Sequence, residues 1–342
     1  MSRLFLAVNF HYIGPRDRYP HPGIHGVSAE EFAAQLDALG RHFDLVGLAD
    51  IRRAAANDRP LPERAAVITF DDGLREQFEV AVPILASKKV PFICFVGGLP
   101  LLEGKALTTH KLHYLRANTE PGEFLERLAE TAAGLGIALE VERAAREIPA
   151  FLLPYDEPQS RLIKYCLNYL VTPRQSARLV ERLFAEAFEE AAFCSRFYLS
   201  REQARSLHAD HQALGYHGLS HRPIALLGAD EARREVCEGK RRLEELLGCP
   251  LAAMSYPFGG PQAVSWREEE LAREAGLEFC FTMEKCFNRD PALGPHLLAR
   301  VNNNEAVGHP QAAFVIDPDS REVAITDPVR MSLFRSRYYQ ER

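Results

Sequence analysis

Short apolar runs alternate with amphipathic segments through the first hundred residues of the chain. The runs at 1–11, Val67–Phe70 and Pro91–Val96 are rich in β-branched and aromatic side chains, a composition typical of buried strands. Between the first two runs, Ser28 and Glu31 have the spacing of a helix capping box, and an apolar stripe at helical spacing follows them. This alternation of strand and helix predicts a parallel α/β architecture.

The strand pattern stops near residue 99 and resumes near residue 198. Helical spacing dominates between these points, and helices are predicted over 123–133, 159–170 and 172–192. Thr172 and Pro173 are suited to the N-cap and the first position of the last of these helices. We therefore predict a discontinuous α/β domain over 1–98 and 198–326, a helical insertion over 99–197 and a C-terminal tail over 327–342.

Composition and charge narrow the range of functions. The chain has 342 residues, enough to bury a sizeable core, and its net charge of −6 argues against nucleic acid as a partner. No apolar run is long enough to span a bilayer, and the run at the start is too short for a signal peptide. The seven scattered cysteines include no Cys-x-x-Cys pair, which favours thiols in a reducing compartment, the cytoplasm, over disulfides or a cysteine zinc site.

Two adjacent carboxylates follow the predicted strand at Val67–Phe70. Asp71 and Asp72 follow Phe70 directly, and Gly73 comes after them. Aspartate and glycine are ordinary turn residues, so a solvated turn is one interpretation. Neighbouring carboxylates repel each other, however, and a bound cation relieves that repulsion, so the pair is also a candidate metal site.

Two further clusters follow later strands. His217 and His221 are four residues apart, a spacing that lets two imidazoles bind one metal, although two exposed loop histidines would give the same pattern. Two histidines and one carboxylate, here Asp72, form a minimal metal site with open positions. The turn at 255–260 contains proline and glycine and could direct backbone amides toward the same edge of the sheet, where such amides stabilise an oxyanion.

These three segments, in this order, resemble the motifs of the polysaccharide deacetylase family, also called the NodB-homology domain or carbohydrate esterase family 4. The segment Thr69–Gly73 resembles the first motif, His217–His221 the second and Tyr256–Gly259 the third. The resemblance covers about 1–100 and 197–305. It implies a distorted (β/α) barrel and one divalent metal, zinc in most members, with cobalt, nickel, manganese or iron as alternatives.

The resemblance also implies roles for single residues. Asp72, His217 and His221 would bind the metal, and Asp71 would act as general base toward a metal-bound water that attacks an N-acyl carbonyl. A backbone amide near Phe258 would face the oxyanion. The products would be a free amine and a small acid.

The sequence departs from the family pattern at two places. Many members carry an arginine two residues before the proline of the third motif, where this chain has Ser255. Arg300, on a late predicted strand, is the candidate to hold Asp71 instead. The late histidine motif that supplies the general acid has no clear counterpart, and the two late histidines, His296 and His309, lie in sequence contexts that do not resemble it.

The predicted function is hydrolysis of an acetyl or formyl amide on an amino sugar, nucleotide sugar or lipid-linked sugar. Hydrolysis of another C–N bond, in a cyclic amide or ureide, is an alternative within the same fold. A degenerate member that binds a glycan without turnover is a third. The insertion at 99–197 is expected to form a lid, a substrate wall or a homo-oligomer interface.

Overall fold

The chain forms two compact units. The computed structural model describes residues 3–15, 17–21, 23–148, 157–260, 263–317, 322–327 and 331. One unit comprises 1–15, 26–104 and 195–342, and the other comprises 16–25 and 105–194. The second unit thus starts and ends a few residues inside the predicted insertion and also takes in a segment that follows the first strand. Most of the predicted tail lies outside the described residues.

A parallel sheet forms the centre of the first unit. Its strands are β1 (Leu4–Phe10), β2 (Asp44–Leu45), β3 (Arg64–Phe70), β4 (Phe92–Val96), β5 (Leu214–Tyr216), β6 (Ala253–Ser255), β7 (Phe279–Phe281) and β8 (Val301–Asn302). The order across the sheet is β7-β6-β5-β4-β3-β1-β8, with β2 added to β3. Because all these pairs are parallel, the carboxyl ends of the strands lie on one edge.

The two outer strands of the sheet approach each other. Phe281 in β7 forms a parallel bridge with Leu298, which comes just before β8. The backbone N–H of Thr282 donates to the carbonyl of Leu298 at 2.7 Å, and that of Leu298 donates to the carbonyl of Cys280 at 2.8 Å. The sheet therefore curves into the distorted (β/α) barrel that the motifs implied.

Alternate residues of the central strands enter two separate apolar clusters. In β1, Leu6 and Val8 belong to one cluster while Phe5 and Ala7 belong to the other. All four side chains are buried. This pattern is expected of strands covered on both faces and explains why the strand sequences are almost continuously apolar.

The helices, numbered along the chain, are α1 (Ala29–Gly40), α2 (Leu48–Ala55), α3 (Val82–Lys88), α4 (Gly98–Glu103), α5 (Thr108–Asn118), α6 (Pro121–Gly134), α7 (Val141–Glu147), α8 (Pro158–Tyr165), α9 (Pro173–Ala187), α10 (Glu190–Phe197), α11 (Arg201–His211), α12 (Ala229–Arg233), α13 (Gly239–Leu247) and α14 (Trp266–Glu274). Among the described residues, π-helical turns adjoin them at Gln77–Ala81, Cys166–Leu170 and Arg234–Glu238. A small hairpin, β9 (Phe314–Ile316) and β10 (Val323–Ile325), follows β8. No described helix is both long and apolar enough to cross a membrane.

Helix starts follow the sequence signals, whereas one predicted helix is broken. Ser28 caps α1 with a complete capping box and Thr172 is the N-cap of α9, both as predicted, and Thr172 also forms a capping box with Gln175. The single helix predicted over 172–192 is wrong, because the backbone is extended at Phe188, between α9 and α10. The break lets the rings of Phe188 and Phe193 both contact Tyr114, at centroid distances of 4.9 and 4.8 Å.

The helical unit has its own buried polar centre. The ammonium of Lys111 on α5 lies 2.6 Å from Glu181 and 2.7 Å from Glu190, and the lysine side chain is buried. Two carboxylates around one buried cation satisfy its charge and tie α5, α9 and α10 together. The role of the helical unit as a lid, a substrate wall or an oligomer interface stays a prediction.

Candidate metal centre and acid–base site

Three strand ends bring the predicted site residues together. Asp71 and Asp72 follow β3, His217 follows β5, and the turn that contains Phe258 follows β6. The strands are parallel, so these segments share the carboxyl edge of the sheet. His221 reaches the same place through the short loop after His217.

Three donor atoms converge at this edge. Oδ1 of Asp72 lies 3.5 Å from Nε2 of His217 and 3.5 Å from Nε2 of His221. The three ligand atoms all lie within 4.8 Å of one another, and within the described part of the chain no other group of three or more histidine, cysteine or acidic residues is arranged in this way. Donors of a tetrahedral zinc ion, at bond lengths of about 2.0–2.1 Å, lie about 3.3 Å apart. The donor set and spacing therefore fit a divalent metal.

The backbone takes a left-handed conformation at three non-glycine residues of this edge. The φ angles are 78° at Asp72, 56° at His221 and 62° at Phe258. Side chains with a Cβ adopt this region at a cost, and such residues concentrate at functional sites. Gly73 follows with φ 67°, and a Cβ there would lie 2.8 Å from Cγ1 of Val96, so glycine is required.

His217 is oriented by its second nitrogen. Nδ1 lies 2.8 Å from the backbone carbonyl of Ser255. A carbonyl only accepts, so Nδ1 carries the proton and donates it, which leaves the lone pair of Nε2 directed toward Asp72 and His221. Metal-binding histidines are commonly held in this way.

Asp71 is held by Arg300. Nη1 of Arg300 donates to Oδ1 of Asp71 at 2.9 Å, and Nη2 donates to Oδ2 at 2.8 Å. Nδ2 of Asn9 adds a third bond to Oδ2, also 2.9 Å long. Burial would raise the pKa of the Asp71 carboxyl, but the charge and hydrogen bonds of the Arg300 guanidinium outweigh burial and hold that pKa well below its usual range. Asp71 is therefore ionised.

Ser255 takes part in the same network. Nη2 of Arg300 donates to Oγ of Ser255 at 2.5 Å, and Nε of Arg300 donates to the carbonyl of Thr282 at 3.1 Å. The guanidinium is fully buried. The position where many family members have an arginine thus holds a small hydroxyl that accepts a bond from an arginine that directly precedes β8.

His11 is a site residue that the sequence reasoning missed. It follows β1, and its Nε2 lies 4.0 Å from Oδ2 of Asp71. Its side chain is 40% exposed, whereas Asp71 is buried. An imidazole beside the candidate base and open to solvent is placed to exchange a proton with a bound molecule. The sequence feature that could have identified His11 is its position at the end of the first strand, because the motifs also follow strand ends.

Gln77 ties the two strand ends that carry His11 and Asp71. Its side-chain amide donates to the backbone carbonyl of His11 at 2.9 Å and to that of Asp71 at 2.6 Å. Its oxygen accepts from the backbone N–H of Leu74 at 3.1 Å. Gln77 is buried, and its amide satisfies three backbone groups of the site at once.

The two late histidines lie in other surroundings. Nε2 of His296 is 2.8 Å from the carbonyl of Leu277, which precedes β7, so His296 lies toward the opposite end of the sheet. Nδ1 of His309 accepts from the backbone N–H of Gln311 in its own loop. Phe258, by contrast, lies at the site, because its ring is 4.8 Å from that of His221 and is 56% exposed.

Comparison with known proteins concerns the fold. No protein-family model and no curated protein matches the sequence. IcaB from Ammonifex degensii is 18% identical with a TM-score of 0.51, and the match covers 94% of each chain. A de-N-acetylase from Aggregatibacter actinomycetemcomitans is 13% identical with a TM-score of 0.51, covering 87% of this chain and 94% of that one. The deacetylase domain of BpsB from Bordetella bronchiseptica is 15% identical with a TM-score of 0.51, covering 87% and 95%. The chain therefore has the fold of the polysaccharide deacetylases that its three motifs resemble.

Proposed function

We propose that this protein hydrolyses an acetyl or formyl amide on an amino sugar with the help of a divalent metal. The observation that carries the proposal is the convergence of three metal-binding donors beside a carboxylate that Arg300 holds ionised. Proteins with the same fold include a de-N-acetylase and a deacetylase domain. Amide hydrolysis needs an activated water, a base and an acid. We assign the water to the metal site, the role of base to Asp71 and the role of acid to His11.

Asp72, His217 and His221 would hold the metal. Two imidazole nitrogens and one carboxylate oxygen suit zinc and also cobalt, nickel, manganese and iron. Zinc is our first choice, because three protein ligands with open positions are typical of its catalytic sites. The ion would supply Lewis acidity and lower the pKa of a water molecule.

Asp71 and His11 would divide the proton transfers. Asp71, held as a carboxylate, would take a proton from the attacking water. His11 would give a proton to the leaving nitrogen, so that the C–N bond breaks to a neutral amine. The backbone amide of Phe258 would donate to the carbonyl oxygen as it becomes negative, and Arg300 would keep Asp71 in position.

The substrate would be a sugar, nucleotide sugar or lipid-linked sugar met in a reducing compartment such as the cytoplasm. All seven cysteine side chains are present as thiols, including five that are buried. This state fits a reducing environment.

The test is a substrate panel with the full-length protein and a measured metal content. N-acetyl and N-formyl amino sugars should release acetate or formate with an equal amount of free amine. Chelation should remove the activity and added Zn²⁺ restore it. Turnover of ureides or cyclic amides alone would support the other C–N hydrolase, and stoichiometric metal without any turnover would contradict the proposed reaction.

A further inference from the structure

A buried carboxylate outside the three motifs contacts the loop between the two histidines. Glu235 lies in the π-helical turn between α12 and α13. Its Oε2 accepts from the backbone N–H of Leu219 at 3.0 Å and from that of Ser220 at 2.9 Å. Its Oε1 accepts from the hydroxyl of Ser220. All three donors belong to the segment that joins His217 to His221.

The loop needs such an acceptor. Gly218 and His221 both have left-handed backbones, with φ of 74° and 56°. The two residues between them direct consecutive amides at one point, an arrangement that binds an anionic oxygen. These amides are partly buried, and leaving them without an acceptor would favour another loop conformation, because an unsatisfied amide costs free energy.

The helix that carries Glu235 is shaped to approach this loop closely. Gly239 lies four residues after Glu235, and a Cβ there would be 2.3 Å from Oη of Tyr216 and 2.9 Å from Cβ of Leu219. Oη of Tyr216 donates to the backbone carbonyl of Glu235 at 2.5 Å. A π-helical turn at this contact is consistent with a functional constraint, since such turns are frequent at functional sites.

We infer that Glu235 is a positioning residue for the metal ligands. It fixes the loop so that the Nε2 atoms of His217 and His221 face Asp72 before a metal binds. Glu235 touches neither nitrogen and acts only through the loop. The inference rests on the proposed metal site and adds to it a residue that lies 14 positions beyond His221 in the sequence. Losing a supporting contact of this kind lowers metal affinity about 10- to 100-fold.

The test measures metal affinity directly. The full-length protein is stripped of metal, and its affinities for Zn²⁺ and Co²⁺ are measured by competition with a chromophoric chelator. The visible spectrum of bound Co²⁺ reports the geometry of the ligands. The variants are Glu235→Ala and Glu235→Gln, with Glu238→Gln as the control, because Glu238 is exposed on the same π-helical turn and undergoes the same chemical change.

Glu235→Ala should lose about 10- to 100-fold in affinity and shift the Co²⁺ spectrum. Glu235→Gln should lose less, because its amide oxygen can still accept from two backbone N–H groups and its amino group can donate to Ser220. Glu238→Gln should match the wild type. Ser220→Ala removes one contact and leaves Glu235 in place, so it provides a second test if Glu235→Ala does not fold. It should lose affinity about fivefold.

The outcomes separate the two proposals. The inference would be overturned if both Glu235 variants had the affinity and the spectrum of the wild type. If Glu235→Ala does not fold, the same result in Glu235→Gln and Ser220→Ala would overturn it. Either outcome would leave the proposed function standing. A wild-type protein that binds neither metal would overturn the proposed function and the inference with it.

Discussion

The guanidinium of Arg300 and the carboxylate of Asp71 form a buried two-point ion pair, with bonds of 2.9 and 2.8 Å between residues 229 positions apart in the sequence. The pair joins the end of β3 to the segment that leads into β8. It fixes both oxygens of Asp71 in space, and so orients the candidate base before any substrate binds.

Replacing Arg300 with methionine should destabilise the fold by about 3–5 kcal/mol, because the change leaves the Asp71 carboxylate buried without its cation. Urea unfolding measures the loss. The double variant Arg300→Met with Asp71→Asn should recover part of it, since the remaining side chain is neutral. As a control, Arg241→Met removes only an exposed pair with Glu245 and should cost about 0.5 kcal/mol or less. Unchanged stability in Arg300→Met would contradict the role of the pair.

Replacing Asp71 with asparagine should lower kcat about 10²- to 10⁴-fold, because the amide cannot take a proton from water. Metal affinity should stay within about threefold of the wild type, since the three converging donors remain. Steady-state kinetics and metal titration measure the two quantities. Asp72→Asn is the matched control and should weaken metal binding itself. Full activity in Asp71→Asn would refute the proposed mechanism.

Replacing His11 with glutamine should slow amide hydrolysis about 10²- to 10⁴-fold while leaving metal affinity unchanged. The effect should be much smaller on an activated aryl acetate, because a phenolate leaves without a proton. The ratio of the two rates is therefore the measurement. His309→Gln, in a loop remote in the sequence from all three motifs, serves as control and should have no effect. Equal losses on amide and ester would assign His11 another role.

Replacing Gln77 with glutamate should destabilise the protein by about 1–3 kcal/mol and lower kcat. The new carboxylate would face the backbone carbonyls of His11 and Asp71, where two N–H donors now lie. Gln203→Glu is the control, because Gln203 uses its oxygen to accept from the N–H of Ser200 and glutamate can do the same. Similar unfolding curves for the two variants would contradict the proposed tie between the strands.

Thiol labelling should divide the cysteines into two classes. Burial raises the pKa of Cys166 to about 11 and that of Cys194 and Cys280 to about 12, so these groups stay protonated at pH 8. Cys237 and Cys249 are partly exposed. A maleimide or iodoacetamide should modify these two first in the folded protein and all seven in denaturant, as mass spectrometry would show. Rapid labelling of Cys280 in the folded state would contradict its burial.

The central features of the fold could be predicted because they depend on local sequence, and the candidate metal ligands because the motifs that carry them resemble those of the deacetylase family. The strand before Asp71 is apolar and β-branched, and the spacing of His217 and His221 is visible without a structure. The contact of Arg300 with Asp71 matches an expectation that came from the family resemblance, in which an arginine holds the aspartate and Ser255 stands where many members have it.

Other features depend on contacts that the sequence does not display. His11 lies outside the family pattern, which places the acid on a late histidine, and its proximity to Asp71 arises from the pairing of β1 with β3. Glu235 stands in an ordinary amphipathic helix pattern, and the π-helical turn that places it has no local signature. The break at Phe188 likewise coincides with a tertiary contact, the packing of Phe188 and Phe193 against Tyr114, that the helical spacing does not display.

At Asp72, His221 and Phe258, the left-handed backbone costs stability, while the side chain forms part of the proposed site. Glycine would relax the chain at each position, but it would remove a candidate metal ligand at the first two and the ring against His221 at the third. A search for variants that only unfold at higher temperature should therefore accumulate glycines at these positions and lose catalysis as it succeeds. Thermal tolerance and turnover would be inversely related along this edge of the sheet, while the rest of the barrel could be stabilised without such a conflict.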